Sequence, residues 1–335
     1  MKAIVCHAFG DYHGLQVEDI DPPELPVRGV RIAVEAASVS FATSLWIAGK
    51  YQHKPPLPFV PGGEFVGTVL ECDAAATRFK PGDRVLAISG WGGYAEQAVV
   101  TEHTVYPIPQ TIPAGEALHL ATSYATAYGA FTWRGKLAQG ETLLVLAAAG
   151  GVGLAAVEIG RVMGAEVIGA AGGADKCALV LAHGARAAID YRSADLRSEI
   201  ARLTGGRGVD VVFDPVGGAS FDAAMRSLAP GGRHLVIGFA SGSVPQVPAN
   251  ILLVKNISVM GFNIGMWYGW SKDDRRAEFE AQMRGAFTQI FQWHAEGKLR
   301  PLVSKTFPLE RFAEAQDTVT QRGSVGKLVL QIARP

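Results

Sequence analysis

The chain has 335 residues, with 31 Lys plus Arg against 31 Asp plus Glu, so its formal net charge at pH 7 is zero. That length exceeds what one hydrophobic core usually serves, so two domains are expected. Balanced charge offers no global field to gather nucleic acid or an anionic membrane, which leaves a small neutral or apolar partner.

The cysteines, Cys6, Cys72 and Cys177, are odd in number and lack CxxC spacing. They argue against a disulfide framework or a structural zinc knot and point to a cytoplasmic protein. Met1 to His7 soon turns polar and reads as a strand, not as a signal segment. Up to about residue 120 short alternating segments, among them 31–35, 66–70 and 94–100, are separated by Pro/Gly turns and predict a β-rich domain. The Lys80-Pro81-Gly82-Asp83 turn has its own backbone reason and is assigned no chemistry.

From about Ser123 to Gly261 apolar strands alternate with helices. The strands are expected at 143–147, 166–170, 187–190, 209–213, 235–237 and 257–260, which makes a doubly wound parallel sheet. Residues 143–157 carry no charge, yet the run is shorter than the roughly 20 residues a membrane span needs. Next, Phe279, Met283, Phe287, Ile290 and Phe291 recur at helical spacing up to Gly297, a core-facing pattern. A second helix carries Phe312, Ala315 and Val319 on one face, and a last strand, 327–332, is placed to return to the β-rich domain.

The run Leu143 to Ala156 joins the first of those strands to a helix through Gly150, Gly151, Val152 and Gly153. Gly150 is assigned the sharp turn, Gly151 the close approach of a pyrophosphate, and Gly153 the close packing of helix on strand. Free N–H groups at the helix start suit the anion, so a dinucleotide cofactor is expected. Where an NAD site has an acidic residue, this chain has Gly172-Gly173, followed by Lys176. Room plus a cation favours NADPH. Asp175 takes the acidic role instead if the strand ends a few residues later.

These segments, with Pro58 to Gly67, Gly93 to Glu96, Ala121 to Tyr128 and Gly206 to Gly217, resemble the zinc-independent quinone oxidoreductases of the medium-chain dehydrogenase/reductase superfamily, the group that includes zeta-crystallin. The resemblance covers essentially the whole chain. It implies an α/β protein with a GroES-like β-rich catalytic domain (1–122), a Rossmann NADPH-binding domain (123–262) and a C-terminal segment (263–335) that completes the first. It further implies that Lys176 and Tyr191 hold the 2′-phosphate and that Thr126 lies by the nicotinamide ribose. Val216, Phe239, Ala240 and Ser241, with Phe262 and Asn263, are implied along the rest of the cofactor.

Zinc alcohol dehydrogenases of the superfamily have a Cys where this chain has Ser40 and a His where it has Gly63. A hydroxyl and a hydrogen cannot replace a thiolate and an imidazole, so no catalytic metal is expected. Without a Lewis acid, reduction of an already activated acceptor is the chemistry that remains. Ser40, Thr43 and Tyr51 are the candidate donors to the developing oxyanion, although relatives usually carry Asn and an acidic residue at the first two positions. Trp46, Trp91, Trp267 and Tyr268 are candidate walls for a flat, apolar, electron-poor acceptor. Of these, 267 and 268 rank first because their segment follows the last Rossmann strand and should cross the interdomain cleft.

The expected activity is NADPH-dependent reduction of quinones or related enones. Reduction of acrylates, enals or enoyl thioesters is the alternative in the same superfamily. An NADPH-binding structural or RNA-binding protein is the alternative of another class, and balanced charge counts against RNA. The strand at 257–261 is expected at a sheet edge, where a second copy would cover it in a homodimer.

Overall fold

The computed structural model describes residues 1–271, 273–321 and 323–332. In chain order, β1 (Lys2–Ile4), β2 (Val17–Asp19), β3 (Gly29–Val39), α1 (Phe41–Ile47), β4 (Glu64–Cys72), β5 (Arg84–Ile88), β6 (Gln97–Thr101), β7 (Val105–Pro107) and α2 (Ala114–His119) come first. They are followed by α3 (Ala125–Gly129), β8 (Thr142–Val145), α4 (Gly151–Val162), β9 (Glu166–Ala171), α5 (Ala174–Ala182), β10 (Ala187–Asp190), α6 (Leu196–Leu203) and β11 (Val209–Asp214). The chain then runs through α7 (Gly218–Arg226), β12 (Leu228–Val236), α8 (Ala249–Lys255), β13 (Ser258–Gly261), α9 (Arg276–Ala295), β14 (Val303–Pro308), α10 (Phe312–Thr320) and β15 (Lys327–Gln331). Among the described residues no helix is long and apolar enough to cross a membrane.

The chain forms two compact units. The first takes 1–122, 264–289 and the described part of 301–335; the second takes 123–263 and 290–300. The segment after Asn263 is therefore divided between the two units, where the family resemblance implies that it completes the first.

In the first unit a seven-stranded sheet runs β14-β15-β3-β4-β5-β7, with β6 also paired to β3. β15 returns antiparallel to β3, Leu328 opposite Val39. Its burial is nearly continuous, so the end of the chain supplies core to the β-rich unit. α9 turns Met283, Phe287 and Ile290 inward, each at most 2% exposed, as the helical spacing predicts.

The second unit is a six-stranded sheet in the order β10-β9-β8-β11-β12-β13, every neighbouring pair parallel. All four residues of β8 are buried, which explains its unbroken apolar sequence. Leu144, Ile168, Val212, Phe221 and Met225 belong to one core cluster of this unit. The strand order reverses direction between β8 and β11, and the crevice at the carboxyl ends of strands at such a point is where open α/β sheets take ligands.

Candidate functional site

At that reversal β8 stops at Val145, two residues sooner than the apolar run suggests, because Ala147 adopts a left-handed conformation with φ +49°. The sharp turn assigned from sequence to Gly150 is thus made by Ala147. Gly150 has φ −76° and is the N-cap of α4. Hydrogen bonds on both sides pin the turn: Leu146 N–H donates to Phe213 O at 3.0 Å and Ala148 N–H to Ala170 O at 2.9 Å. Gly153 is where the backbone leaves no room. A Cβ there would lie 2.1 Å from Ala147 O and 2.8 Å from its carbonyl carbon. A Cβ on Gly150 would meet only Ala147 O, at 3.4 Å. The result is an open glycine rim before a 12-residue helix whose first-turn N–H groups and dipole favour an anion.

β9 ends at Ala171, so Gly172 and Gly173 do follow the strand, and Asp175 sits exposed in the first turn of α5. Lys176 is half-buried on α5. Tyr191 follows β10 and is 51% exposed. Its Oη lies 2.8 Å from where a Gly172 Cβ would be, and Arg192 Nε lies 3.0 Å from the same point. Arg192 Nη1 lies 3.7 Å from the corresponding point on Gly173. Two glycines, a phenol and a guanidinium therefore share one corner. Sequence reading passed over Arg192 as a binding group, although it stands next to Tyr191. It also passed over Asp190, whose Oδ1 accepts from Gly173 N–H at 2.8 Å and Arg192 N–H at 3.0 Å. Those two bonds, led by Gly173, hold the Asp190 carboxyl below its usual range.

The loops after β11 and β12 come together. Ala240 N–H donates to Pro215 O at 3.1 Å, and Ser241 N–H to Val216 O at 3.0 Å. Phe239 is 39% exposed beside them. Thr126 is 5% exposed on α3, and Phe262 is 5% exposed, packed in the core near the Trp133 ring with Asn263 exposed after it.

In the first unit Ser40 is the N-cap of α1, its Oγ accepting from Thr43 N–H at 3.3 Å and lying 3.1 Å from Thr43 Oγ1. Thr43 is 1% exposed. Tyr51 is half-buried, edge-on to Trp46 with centroids 4.9 Å apart, and burial raises its phenol above the ordinary tyrosine value. Trp46 also meets Trp270 edge-on at 5.1 Å, and Trp270 meets Tyr268 at 5.5 Å. Trp270, which sequence reading left out, therefore joins this aromatic group. Trp267 instead faces α9, its Nε1–H donating to Gln282 at 2.9 Å beside the Phe279 ring. Tyr268 is 1% exposed, and Trp91 stacks on His53 at 5.7 Å.

Behind these residues Glu64 and Lys327 form a buried ion pair at 2.8 Å, each side chain 6% exposed. Burial alone would raise the Glu64 carboxyl. Lys327, helped by Thr122 and Ser38, reverses this and leaves it below its usual value. The donor set does not suit zinc. A side chain at Gly63 would place its Cβ 2.8 Å from Ser89 O and 3.1 Å from the Trp46 ring, and Ser40 carries a hydroxyl already engaged with α1. Among the described residues no group of three or more His, Cys, Asp or Glu is placed to hold a metal ion.

A cavity of about 470 Å³ in the first unit is lined in part by Arg78, Arg84 and Arg284 and includes none of the residues above. Its arginines are paired already, Arg84 with Glu35 at 3.2 Å and both Arg78 and Arg284 with Glu280 at 2.6 and 2.8 Å. It is a seam in a packed charge network.

Two family models match the chain, one described as an alcohol dehydrogenase GroES-like domain at residues 27–110 and one as a zinc-binding dehydrogenase at 151–279. Quinone oxidoreductase-like protein 2 of Rattus norvegicus is 39% identical over 332 residues, 99% of this chain and 92% of the relative. Among solved structures, a quinone oxidoreductase of Pseudomonas syringae superposes with a TM-score of 0.90 at 28% identity over 99% of both chains. The Escherichia coli quinone oxidoreductase complexed with NADPH does so with a TM-score of 0.89 at 25% identity, covering 99% of this chain and 100% of the other.

Proposed function

Since the chain belongs to the quinone oxidoreductases of the medium-chain dehydrogenase/reductase superfamily, an oxidoreductase group built from a GroES-like domain and a Rossmann fold, we propose that it is an NADPH-dependent, metal-independent reductase of quinones or related α,β-unsaturated carbonyl compounds. The observation that carries this reading is the corner formed by Gly172, Gly173, Tyr191 and Arg192 at the end of β9, next in the sheet to the glycine turn after β8. A ribose 2′-phosphate calls for charge and a hydrogen-bond donor, and the Arg192 guanidinium and the half-exposed Tyr191 hydroxyl are of those kinds. Asp190 nearby is bonded to backbone N–H groups and presents one oxygen fewer to a ribose hydroxyl.

When bound, NADPH supplies a hydride. The rest is the work of the chain. Gly150, Gly151, Val152 and the start of α4 receive the pyrophosphate, and Lys176, Tyr191 and Arg192 the 2′-phosphate. Thr126, Val216, Phe239, Ala240, Ser241 and Asn263 are proposed along the remainder, while Phe262, expected there from the resemblance, is packed in the core. In the first unit Tyr51, half-buried, is the ring of the aromatic group open to a flat acceptor; Trp46, Trp270 and Tyr268, at 2%, 8% and 1% exposed, are core residues that back it and not walls of a pocket. A quinone or enone that accepts hydride gathers charge on its oxygen, and the Ser40 and Tyr51 hydroxyls are the proposed donors to it, with the buried Thr43 hydroxyl 3.1 Å from Ser40 Oγ orienting the first. The raised Tyr51 phenol keeps its proton at neutral pH and so stays a donor.

A homodimer is part of the proposal. β13 ends the six-stranded sheet, and Leu253 and Val254, at the end of the helix that precedes it in the chain, are each 78% exposed, apolar surface suited to a second copy.

Oxidation of NADPH and NADH against a panel of quinones, enones, enals and acrylates tests the reading. Turnover with quinones or enones, faster with NADPH and indifferent to chelators, is the expected result. Nucleotide binding without turnover of any acceptor would favour a binding protein instead. Stoichiometric zinc whose removal abolishes activity would overturn the metal-independent chemistry.

A further inference from the structure

Apart from the groups assigned to the cofactor, Asp214 and His234 form a carboxylate–imidazole contact in which neither side chain is exposed. Asp214 ends β11 and His234 lies on β12. Their register sets Val212 opposite His234 and Asp214 opposite Val236, so the two side chains are diagonal neighbours on one face of the sheet. His234 Nε2 is 2.9 Å from Asp214 Oδ2. The other carboxylate oxygen, Oδ1, accepts Val216 N–H at 2.7 Å and Gly217 N–H at 2.9 Å. One oxygen is held by the sheet and the other holds the loop.

The second ring nitrogen of His234, Nδ1, is buried and has no hydrogen-bond partner among the described residues, and the ring packs 4.3 Å from that of Phe221. A neutral ring with its proton on Nε2 leaves no buried donor unpaired, and this tautomer is inferred from the bonding pattern. The backbone extends the tie. Ile237 N–H donates to Asp214 O at 2.8 Å and Gly218 N–H to Ser243 O at 3.2 Å, in addition to the Pro215 and Val216 bonds described above. The loops after β11 and β12 are thus cross-linked, and the Asp214 carboxylate is the one side chain in that set of ties that also reaches the sheet.

We propose that His234 is a positioning residue for the nucleotide site: by donating to Asp214 Oδ2 it orients the carboxylate whose other oxygen holds Val216 and Gly217, and through them the loop that carries Phe239, Ala240 and Ser241. The inference rests on the cofactor reading above. Removing the donor frees the carboxylate to rotate toward some other partner, because a buried carboxylate oxygen without one is costly. The loop N–H groups then lose their fixed acceptor.

The test compares His234→Leu, which removes the donor, with His234→Gln, whose side-chain amide can reach the same oxygen. NADPH affinity is read by fluorescence titration and the protection of the Val216 and Gly217 amides by hydrogen exchange. The expected result is a rise of about 10-fold in Kd and faster loop exchange in H234L, with H234Q within about twofold of wild type, the size of losing one hydrogen bond to a charged group. A purely structural role would lower the melting temperature of H234L and leave Kd and loop exchange of the folded protein unchanged, which would overturn the proposal. H234Q as weak as H234L would also overturn it, since packing and not the N–H would then matter. If H234L does not fold, His234→Asn, with an amide too short to reach Asp214, replaces it under the same criteria. Wild-type protein that binds neither NADPH nor NADH would refute the cofactor reading and this inference together, whereas normal wild-type binding with unaltered variants refutes the inference alone.

Discussion

Replacing Gly153 by Ala inserts one methyl group at the tightest point of the glycine turn. The new Cβ would stand 2.1 Å from Ala147 O, 2.8 Å from its carbonyl carbon and 2.9 Å from Ala148 Cα. Ordinary carbon–oxygen contact lies above about 3 Å, so turn and helix must separate by roughly 1 Å. Neither side yields cheaply, because the clashing atoms are backbone and the turn is held by Phe213 O and Ala170 O. Overpacking costs about 1–3 kcal/mol, and contact with backbone puts this case near the upper end. Alanine returns up to about 1 kcal/mol of helix propensity. The net loss is about 2 kcal/mol, or a fall of roughly 4–8 °C in melting temperature for a domain of this size. Gly150→Ala is the matched control. Its only neighbour is at 3.4 Å and its φ of −76° is ordinary, so only the poorer N-cap, about 0.5–1 kcal/mol, lowers its melting temperature, by roughly 1–4 °C, while its methyl group intrudes on the anion rim and weakens NADPH. Scanning calorimetry with and without NADPH reads both effects. A G153A protein that melts like wild type would refute the close-approach argument, and equal losses in both variants would refute the division of roles.

Arg192→Ala should weaken NADPH about 10- to 100-fold and leave NADH within about twofold in fluorescence titrations, since a charge-assisted phosphate contact contributes about 1.5–3 kcal/mol; equal effects on both nucleotides would place Arg192 elsewhere. Lys327→Met strands the Glu64 carboxylate, 5% exposed, in the core and should cost about 3–5 kcal/mol in thermal melts. Combining it with Glu64→Gln should recover a large part of that loss, and a double variant no better than K327M would show that the pair is not the cause. Glu64 and Glu158 both have folded-state values below the ordinary carboxylate range. Burial opposes this at Glu158, but His183, Arg300 N–H and Tyr124 outweigh it. A depressed folded value means stability that is complete above the unfolded carboxylate range and lost as pH falls through the folded values. Melting temperature should therefore drop on acidification below about pH 4, the unfolded carboxylate range, and Glu158→Gln should flatten that slope. A wild-type curve flat across this range would contradict the assignment.

Much of this molecule can be read without coordinates. Strand and helix periodicity places β8, β9 and β11 closely, because a strand buried on both faces must be apolar throughout, and a helix must turn one stripe inward; β12 begins at Leu228, seven residues before the apolar 235–237 run, because its first half carries Pro230, Gly231 and Gly232. The glycine turn, the missing acidic residue at Gly172-Gly173 and the absent zinc ligands at Ser40 and Gly63 are also visible, since each is a matter of what a side chain can or cannot supply. Local pattern does not carry what depends on neighbours distant in the chain. Ala147, not a glycine, makes the left-handed turn because Phe213 and Ala170 hold it there. Trp270 replaces Trp267 in the aromatic group because the latter has a partner on α9. Arg192 lies beside the glycines that follow β9 because β10 pairs with β9, and the Asp214–His234 tie exists only once β11 and β12 lie side by side. Periodicity records which face a residue turns toward the core; which partner waits there is decided by the packing of segments tens to hundreds of residues apart.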